Sequence, residues 1–279
     1  VGAVLPALVV AAVSWIDDVR SLPVRTRLAV HLLAAIAATL ALGPVRRIDL
    51  VGSGVLETGV VAWPLTLVWI VGLTNAFNFM DGSDGVAGVT AAAVGAGLAA
   101  AAVACADGPV ALVASAFAGA CIGFLTCNWQ PARIFMGDVG STFCGFMLAV
   151  LPLAVRPECV VEMLPVAVVP LWPFIFDTSF TLVRRLLSGE DVAQAHRSHL
   201  YQRLLRAGWS HRGVAWLYGG LAAFGSAVSA AAVLDRDVAR AAGQVAAGWL
   251  PVVAVLLVAI VGMVERGDSA HRGADGGGG

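Results

Sequence analysis

Long apolar runs alternate with short polar clusters along the whole chain. Nine runs stand out, at about 1–16, 28–43, 60–76, 86–106, 110–127, 141–155, 160–182, 213–233 and 245–263. Several approach the roughly 20 residues that a helix needs to cross a bilayer. The ten-residue alternating segments of a membrane β-barrel are absent. The pattern therefore predicts an all-α, polytopic transmembrane protein of about nine spans. Residues 1–263 read as one integral membrane domain, and 264–279, ending in four glycines, as a disordered tail. Segment 44–59 mixes β-branched residues with Gly and predicts a small hairpin. Ala193 to Ala207 lacks Gly and Pro and is expected as a short interfacial helix.

The polar clusters interrupt the runs at four places: Trp15-Ile-Asp17-Asp18, Asn75 to Gly88, Arg133 to Ser141, and His196-Arg197-Ser-His199. Two runs separate each cluster from the next, so the chain returns to the same side each time. All four clusters are predicted to face one compartment. Of the arginines, 12 fall on that side and 5 on the other, which the positive-inside rule reads as cytoplasmic.

Composition supports this picture. The chain is 59% hydrophobic and 13% charged, against about 25% charged in a soluble domain. All 17 basic residues are Arg, and the net charge of -1 says nothing about partners; nucleic-acid binding has no support. The five cysteines form no CxxC pair and are expected as small buried hydrophobes. The chain opens at Val1 inside an apolar run, without a basic n-region; a short first span, or sequence upstream of it, is expected.

Carboxylates are costly in or near a bilayer, so they mark function. Asp17 and Asp18 are adjacent, and on a helix they point about 100° apart; one can face a cleft while the other binds a neighbour. Arg20, Arg25 and Arg27 follow, a patch suited to lipid phosphate or to anchoring. Between Asn75 and Gly88 lie Asn78, Asp81, Gly82, Ser83, Asp84 and Gly85. Their oxygens suit a hard cation, and the glycines permit close approach to a ligand. The spacing excludes an EF-hand. In Phe135-Met-Gly-Asp138-Val-Gly-Ser141 a carboxylate sits at a helix start, suiting a metal ligand beside a phosphate held on backbone N–H groups. His196 and His199, spaced i, i+3 with Arg197 between, suit a diphosphate better than zinc, since no third zinc ligand is near. Asp177 lies inside a run, either functional or paired with Arg184 or Arg185. His31 and His211 read as polar groups at helix ends.

With these motifs in this order, the chain resembles the polyprenyl-phosphate N-acetylhexosamine-1-phosphate transferases, the superfamily that includes phospho-MurNAc-pentapeptide translocase. The resemblance implies transfer of an amino-sugar 1-phosphate from a UDP-sugar to a polyprenyl phosphate, with release of UMP. It implies Mg²⁺, or Mn²⁺ in its place, as cofactor. Catalytic roles would fall to Asp17, Asp18, Asp81, Asp138 and His199, with Asp138 and Asp81 as metal ligands. Asn75, Asn78, Gly82, Ser83, Asp84, Phe135, His196 and Arg197 would bind substrate, Phe135 by stacking on uracil. Asp17 would hold or deprotonate the lipid phosphate, although that phosphate is mostly dianionic at pH 7 and has little proton to give. The loop lacks the three-His run of the peptidoglycan enzyme and looks more like the branch that initiates O-antigen or other surface polysaccharides, using UDP-GlcNAc or a UDP-deoxy-amino sugar. The family places the site on the cytoplasmic face of the inner, or plasma, membrane and includes homodimers. It has about two further spans before the segment ending in Asp17-Asp18, so an incomplete chain is the expectation. The competing readings are a transporter, which would put charges at mid-span, and an inactive truncated scaffold.

Overall fold

The computed structural model describes residues 2–49, 54–191, 194 and 196–275; for 236–238, 240 and 267–275 only the backbone course is described. Ten helices follow one another: α1 (Val4–Arg20), α2 (Val24–Leu42), α3 (Ala62–Phe79), α4 (Val86–Ala104), α5 (Gly108–Asn128), α6 (Gly137–Val150), α7 (Val160–Leu187), α8 (Leu200–Arg206), α9 (His211–Leu234) and α10 (Arg236–Asp275). Two short strands, β1 (Arg47–Asp49) and β2 (Val55–Glu57), pair antiparallel with Ile48 opposite Leu56. This is the predicted hairpin; residues 50–53 at its tip lie outside the described residues.

Each predicted apolar run centres on one helix, with or without its 3-10 extension, and several reach a residue or more past the helix end. Among the described residues seven helices are long and apolar enough to cross a membrane; α1, and α6 with the turn that extends it to Leu153, are shorter. The architecture is all-α and polytopic. Helix α10 continues to Asp275, past the boundary at 264 where the sequence places the tail, and residues 276–279 lie outside the described residues. Of the expected interfacial helix at 193–207, Leu200–Arg206 is helical, and 193 and 195 lie outside the described residues.

Helix α4 is built almost wholly of Ala, Gly and Val and is the buried centre, packed on α5, α7 and α9. With no hydrophobic driving force between helices in lipid, small residues that let backbones approach supply the packing. Gly145 matters most for the site. A Cβ there would lie 2.9 Å from the Thr74 Cα, so glycine lets α6 sit against α3. That contact brings Asp138 on α6 to Asn78 on α3. Helix α7 carries Pro165, Pro170 and Pro173 and still runs 28 residues, as neighbouring helices in a bundle allow.

Candidate active site

The site begins at the corner between α1 and α2. Leu22 precedes Pro23, and a residue before proline avoids helical geometry. Helix α1 therefore stops at Arg20, and Ser21 turns through a left-handed φ of 51°. Across this corner the Leu22 N–H donates to Asp17 Oδ1 at 2.5 Å. The other Asp17 oxygen accepts from Arg27 Nη1 at 2.8 Å, and the same nitrogen reaches Asp138 Oδ2 at 3.0 Å. One guanidinium thus joins carboxylates from two distant motifs. Asp17 is buried, whereas Arg27 and Asp138 are half-buried.

Asp18 has a different task. Its Oδ1 accepts the Asp138 N–H at 2.9 Å and its Oδ2 the Val139 N–H at 3.1 Å. It caps α6, whose first N–H groups have no partner within the helix. The sequence assigns those N–H groups to a phosphate; in the fold a carboxylate of the protein already takes them. Gly137, at φ +66°, passes so close that a Cβ would stand 2.8 Å from Asp18 Oδ2. Asn78 Nδ2 then donates to Asp138 Oδ1 and to Ser141 Oγ, both at 2.9 Å. Thr142 on α6 donates to Ser14 on α1 at 2.8 Å. The Asp138 carboxylate is held from two sides, by Arg27 and by Asn78.

The loop between α3 and α4 divides its residues between chemistry and support. Ser83 Oγ lies 3.0 Å from His211 Nδ1, and the Asp84 N–H donates to the same nitrogen at 3.2 Å. Asp84 Oδ2 accepts from the Ala132 N–H at 3.1 Å, and the Gly85 N–H donates to Asn128 Oδ1 at 2.9 Å. Asp84 therefore fastens this loop to the one after α5, and Ser83 fastens it to His211 at the start of α9. A Cβ on Gly82 would overlap the Tyr201 hydroxyl, so glycine is required there by a protein neighbour. Asp81 is partly buried, and its carboxyl is pushed up to about 8 by that burial, then by Asp138 and Asp18 beside it.

The fourth motif closes the site. His199 is buried, its ring 6.0 Å from that of Phe79 and 4.9 Å from that of His196. Its Nδ1 lies 3.2 Å from Asp177 Oδ1. Burial and the neighbouring His199 lower His196 below the ordinary histidine value. His196 Nδ1 stands 3.0 Å from Ser198 Oγ, and Arg197 is exposed on the same loop. The expected pairing of Asp177 with Arg184 or Arg185 does not occur. Arg184 donates to the Ser198 carbonyl, and Arg185 binds Glu190 and the Asp191 carbonyl.

These parts surround a cavity of about 640 Å³. Asp138, Asn75, Asn78, His196, His199 and Arg27 bring polar groups to it, while Val24, Leu28 and Val71 give it an apolar wall. His31, expected as a plain helix-end group, also lines it. Asp17, Asp18, Asp81, Gly82, Ser83, Asp84 and Arg197 do not line it. Phe135 is 77% exposed, on the loop leading to Asp138.

Among the described residues no three His, Cys, Asp or Glu side chains form a ready-made metal cage. Mg²⁺ does not need one, since it takes one or two carboxylates and completes its shell with water and substrate phosphate. Asp138 and Asp81 offer hard oxygens; the Asp81 carboxyl is raised to about 8 first by burial and then by Asp138 and Asp18 beside it. The donor set fits a hard divalent cation.

Several site residues escape motif reading. Arg27 is legible only as part of a basic patch. His211 lies about 130 residues from the loop it holds and carries no local signal. Asp177 had one signal, a lone carboxylate inside an apolar run.

Fold and site together define a polytopic helical membrane protein with polar clusters gathered around one half-polar cavity. A family model for glycosyl transferase family 4 matches residues 1–156, and the chain belongs to that family. It is 38% identical, over 56% of its length and 44% of the relative's, to a Bacillus subtilis protein described as a probable undecaprenyl-phosphate N-acetylglucosaminyl 1-phosphate transferase. It is 34% identical to the decaprenyl-phosphate N-acetylglucosaminephosphotransferase of Mycolicibacterium smegmatis, over 80% of this chain and 63% of that one. It is 37% identical to a Synechococcus phospho-N-acetylmuramoyl-pentapeptide-transferase, over 63% of this chain and 51% of that one. The chain spans less than two thirds of the length of each of these relatives.

Proposed function

We propose that the protein transfers an N-acetylamino-sugar 1-phosphate from a UDP-sugar to a polyprenyl phosphate at the cytoplasmic face of the plasma membrane, releasing UMP. The observation that carries this reading is the Arg27 bridge between Asp17 and Asp138 on the wall of a cavity that is polar on one side and apolar on the other. Such a cavity suits one water-soluble and one lipid substrate. The relatives' names supply the sugar and lipid classes, and UDP-GlcNAc is the donor we favour.

In the reaction, an oxygen of the lipid phosphate attacks the phosphorus that bears the sugar. The bond from that phosphorus to the bridging oxygen breaks, and UMP leaves with the oxygen. The lipid phosphate is already anionic near pH 7, so it needs little help from a base. Asp17 serves instead to fix Arg27, whose guanidinium meets the incoming phosphate. Asp18 fixes the start of α6 and so the direction of Asp138. Asn78 orients the Asp138 carboxylate, and Val24, Leu28 and Val71 receive the first isoprenoid units. His199, His196 and Arg197 hold the diphosphate, with Phe135 free to stack on the uracil. Mg²⁺, on Asp138 and Asp81, would supply electrostatic stabilisation of the charge that develops on the phosphoryl oxygens.

The test is UMP release by the purified protein with Mg²⁺, a polyprenyl phosphate and a panel of UDP-amino sugars, with Asp138→Asn alongside. Release that requires lipid and Mg²⁺ and vanishes in the variant is expected. Substrate movement across vesicles without UMP release would favour a transporter.

A further inference from the structure

Asp177 has no exposed surface, yet it is among the most heavily engaged side chains in the protein. Its Oδ1 accepts from the Leu200 N–H at 2.8 Å and Thr181 Oγ1 at 3.3 Å. Its Oδ2 accepts from the Tyr201 N–H at 3.0 Å and the Tyr218 hydroxyl at 2.7 Å. Leu200 and Tyr201 are the first residues of α8, so the carboxylate, reaching from α7, caps the helix that His199 opens. These donors stabilise a buried ionised carboxylate. Its remaining contact is His199 Nδ1, 3.2 Å from Oδ1.

That contact determines which ring nitrogen faces the substrate. A nitrogen lone pair pointed at a carboxylate oxygen is repelled, so this contact calls for hydrogen on Nδ1. Nε2, across the ring, is then the nitrogen left for the cavity that His199 lines. A second arrangement competes: the His199 side chain also stands where it can accept the Gln202 N–H as a cap of α8. The accepting ring nitrogen would then lack hydrogen. The two arrangements demand opposite tautomers, and the charge on Asp177 favours the first.

Resting on the transferase reading above, we propose that Asp177 is a positioning residue that fixes His199 with Nδ1–H on the carboxylate and Nε2 toward the diphosphate. A proton bound at Nε2 then faces an anionic phosphate oxygen, and the buried carboxylate balances the imidazolium charge. Tyr218 and Thr181 hold the carboxylate in place, and Phe79 brackets the ring. Outer partners of this kind set tautomer and orientation, and their loss commonly lowers activity 10–100-fold where a metal-bound histidine is concerned; a loss of that order is expected here.

The experiment has two readouts. In ¹⁵N-histidine-labelled protein, the His199 signals are identified by their loss in His199→Gln. The neutral ring is expected as the Nδ1–H tautomer in the wild type and as Nε2–H in Asp177→Asn. An Nε2–H tautomer in the wild type would overturn the proposal, as would an unchanged pattern in the variant. The second readout is UMP release by Asp177→Asn, His199→Ala and the double variant. If Asp177 acts through His199, the double variant falls no more than about twofold below the worse single one; losses that multiply would refute it. Should Asp177→Asn fail to fold, the wild-type tautomer still decides. A wild type with the expected tautomer but no UMP release would count against the transferase reading alone.

Discussion

Arg27 and Asp138 lie 3.0 Å apart across 111 residues of sequence, and the same guanidinium nitrogen holds Asp17 at 2.8 Å. The two carboxylates converge on one cation because α1 packs on both α2 and α6. Removing the cation leaves like charges facing each other. Arg27→Met is expected to lower UMP release by about 10²–10³-fold, the usual effect of losing one electrostatic contact to the reacting group. Arg27→Lys should recover part of the loss, since both carboxylates meet a single guanidinium nitrogen and an ammonium carries donors for two oxygens. Steady-state turnover at saturating Mg²⁺ checks this; full activity in Arg27→Met would remove the bridge from the mechanism.

Asp18 and Asp138 should separate stability from chemistry. Asp18→Ala removes the cap from two N–H groups of α6 and is expected to cost about 0.5–2 kcal/mol, with turnover falling because Asp138 loses its aim. Asp138→Asn should abolish turnover while shifting the melting temperature little. Thermal melts in detergent beside the turnover assay would tell the two apart. Equal melting losses in both variants would contradict this division.

Asp81 predicts a pH dependence with a definite sign. Its carboxyl is raised to about 8, chiefly by burial, so ionisation is harder in the fold than in the unfolded chain. Its contribution to stability is complete below the ordinary carboxylate value, near 4, and is lost progressively as pH rises toward about 8. Without Mg²⁺, the melting temperature should fall across this window, and Asp81→Asn should flatten the slope. Added Mg²⁺ should stabilise the protein more at the alkaline end. A melting temperature that rises through the window in wild type but not in the variant would reverse the assignment.

Gly82 and Tyr201 form a steric pair. A methyl at Gly82 would overlap the Tyr201 hydroxyl, so Gly82→Ala is expected to destabilise the protein by about 1–3 kcal/mol. Tyr201→Phe in the same chain should recover part of that loss by removing the overlapping oxygen. If the second change brings no recovery, the glycine is required for something other than Tyr201.

The sequence by itself determined the all-α, polytopic class and the hairpin at 47–57, the first from hydropathy and the second from β-branched residues and Gly. It also singled out Asp138, Asn78 and His199, which the fold brings to one cavity. Tertiary structure alone decided how neighbours share the work. Asp17 and Asp18 are identical side chains in adjacent positions, yet one meets Arg27 and the other caps α6. Ser83 and Asp84 read as ligand groups but meet His211 and Ala132. Asp177 has two arginines within two turns and instead takes the start of α8 and His199. In each case the local pattern states how many donors and acceptors a segment carries. Which partner satisfies each is decided by helices packed from elsewhere in the chain, since a buried polar group must pair with whatever the packing sets beside it.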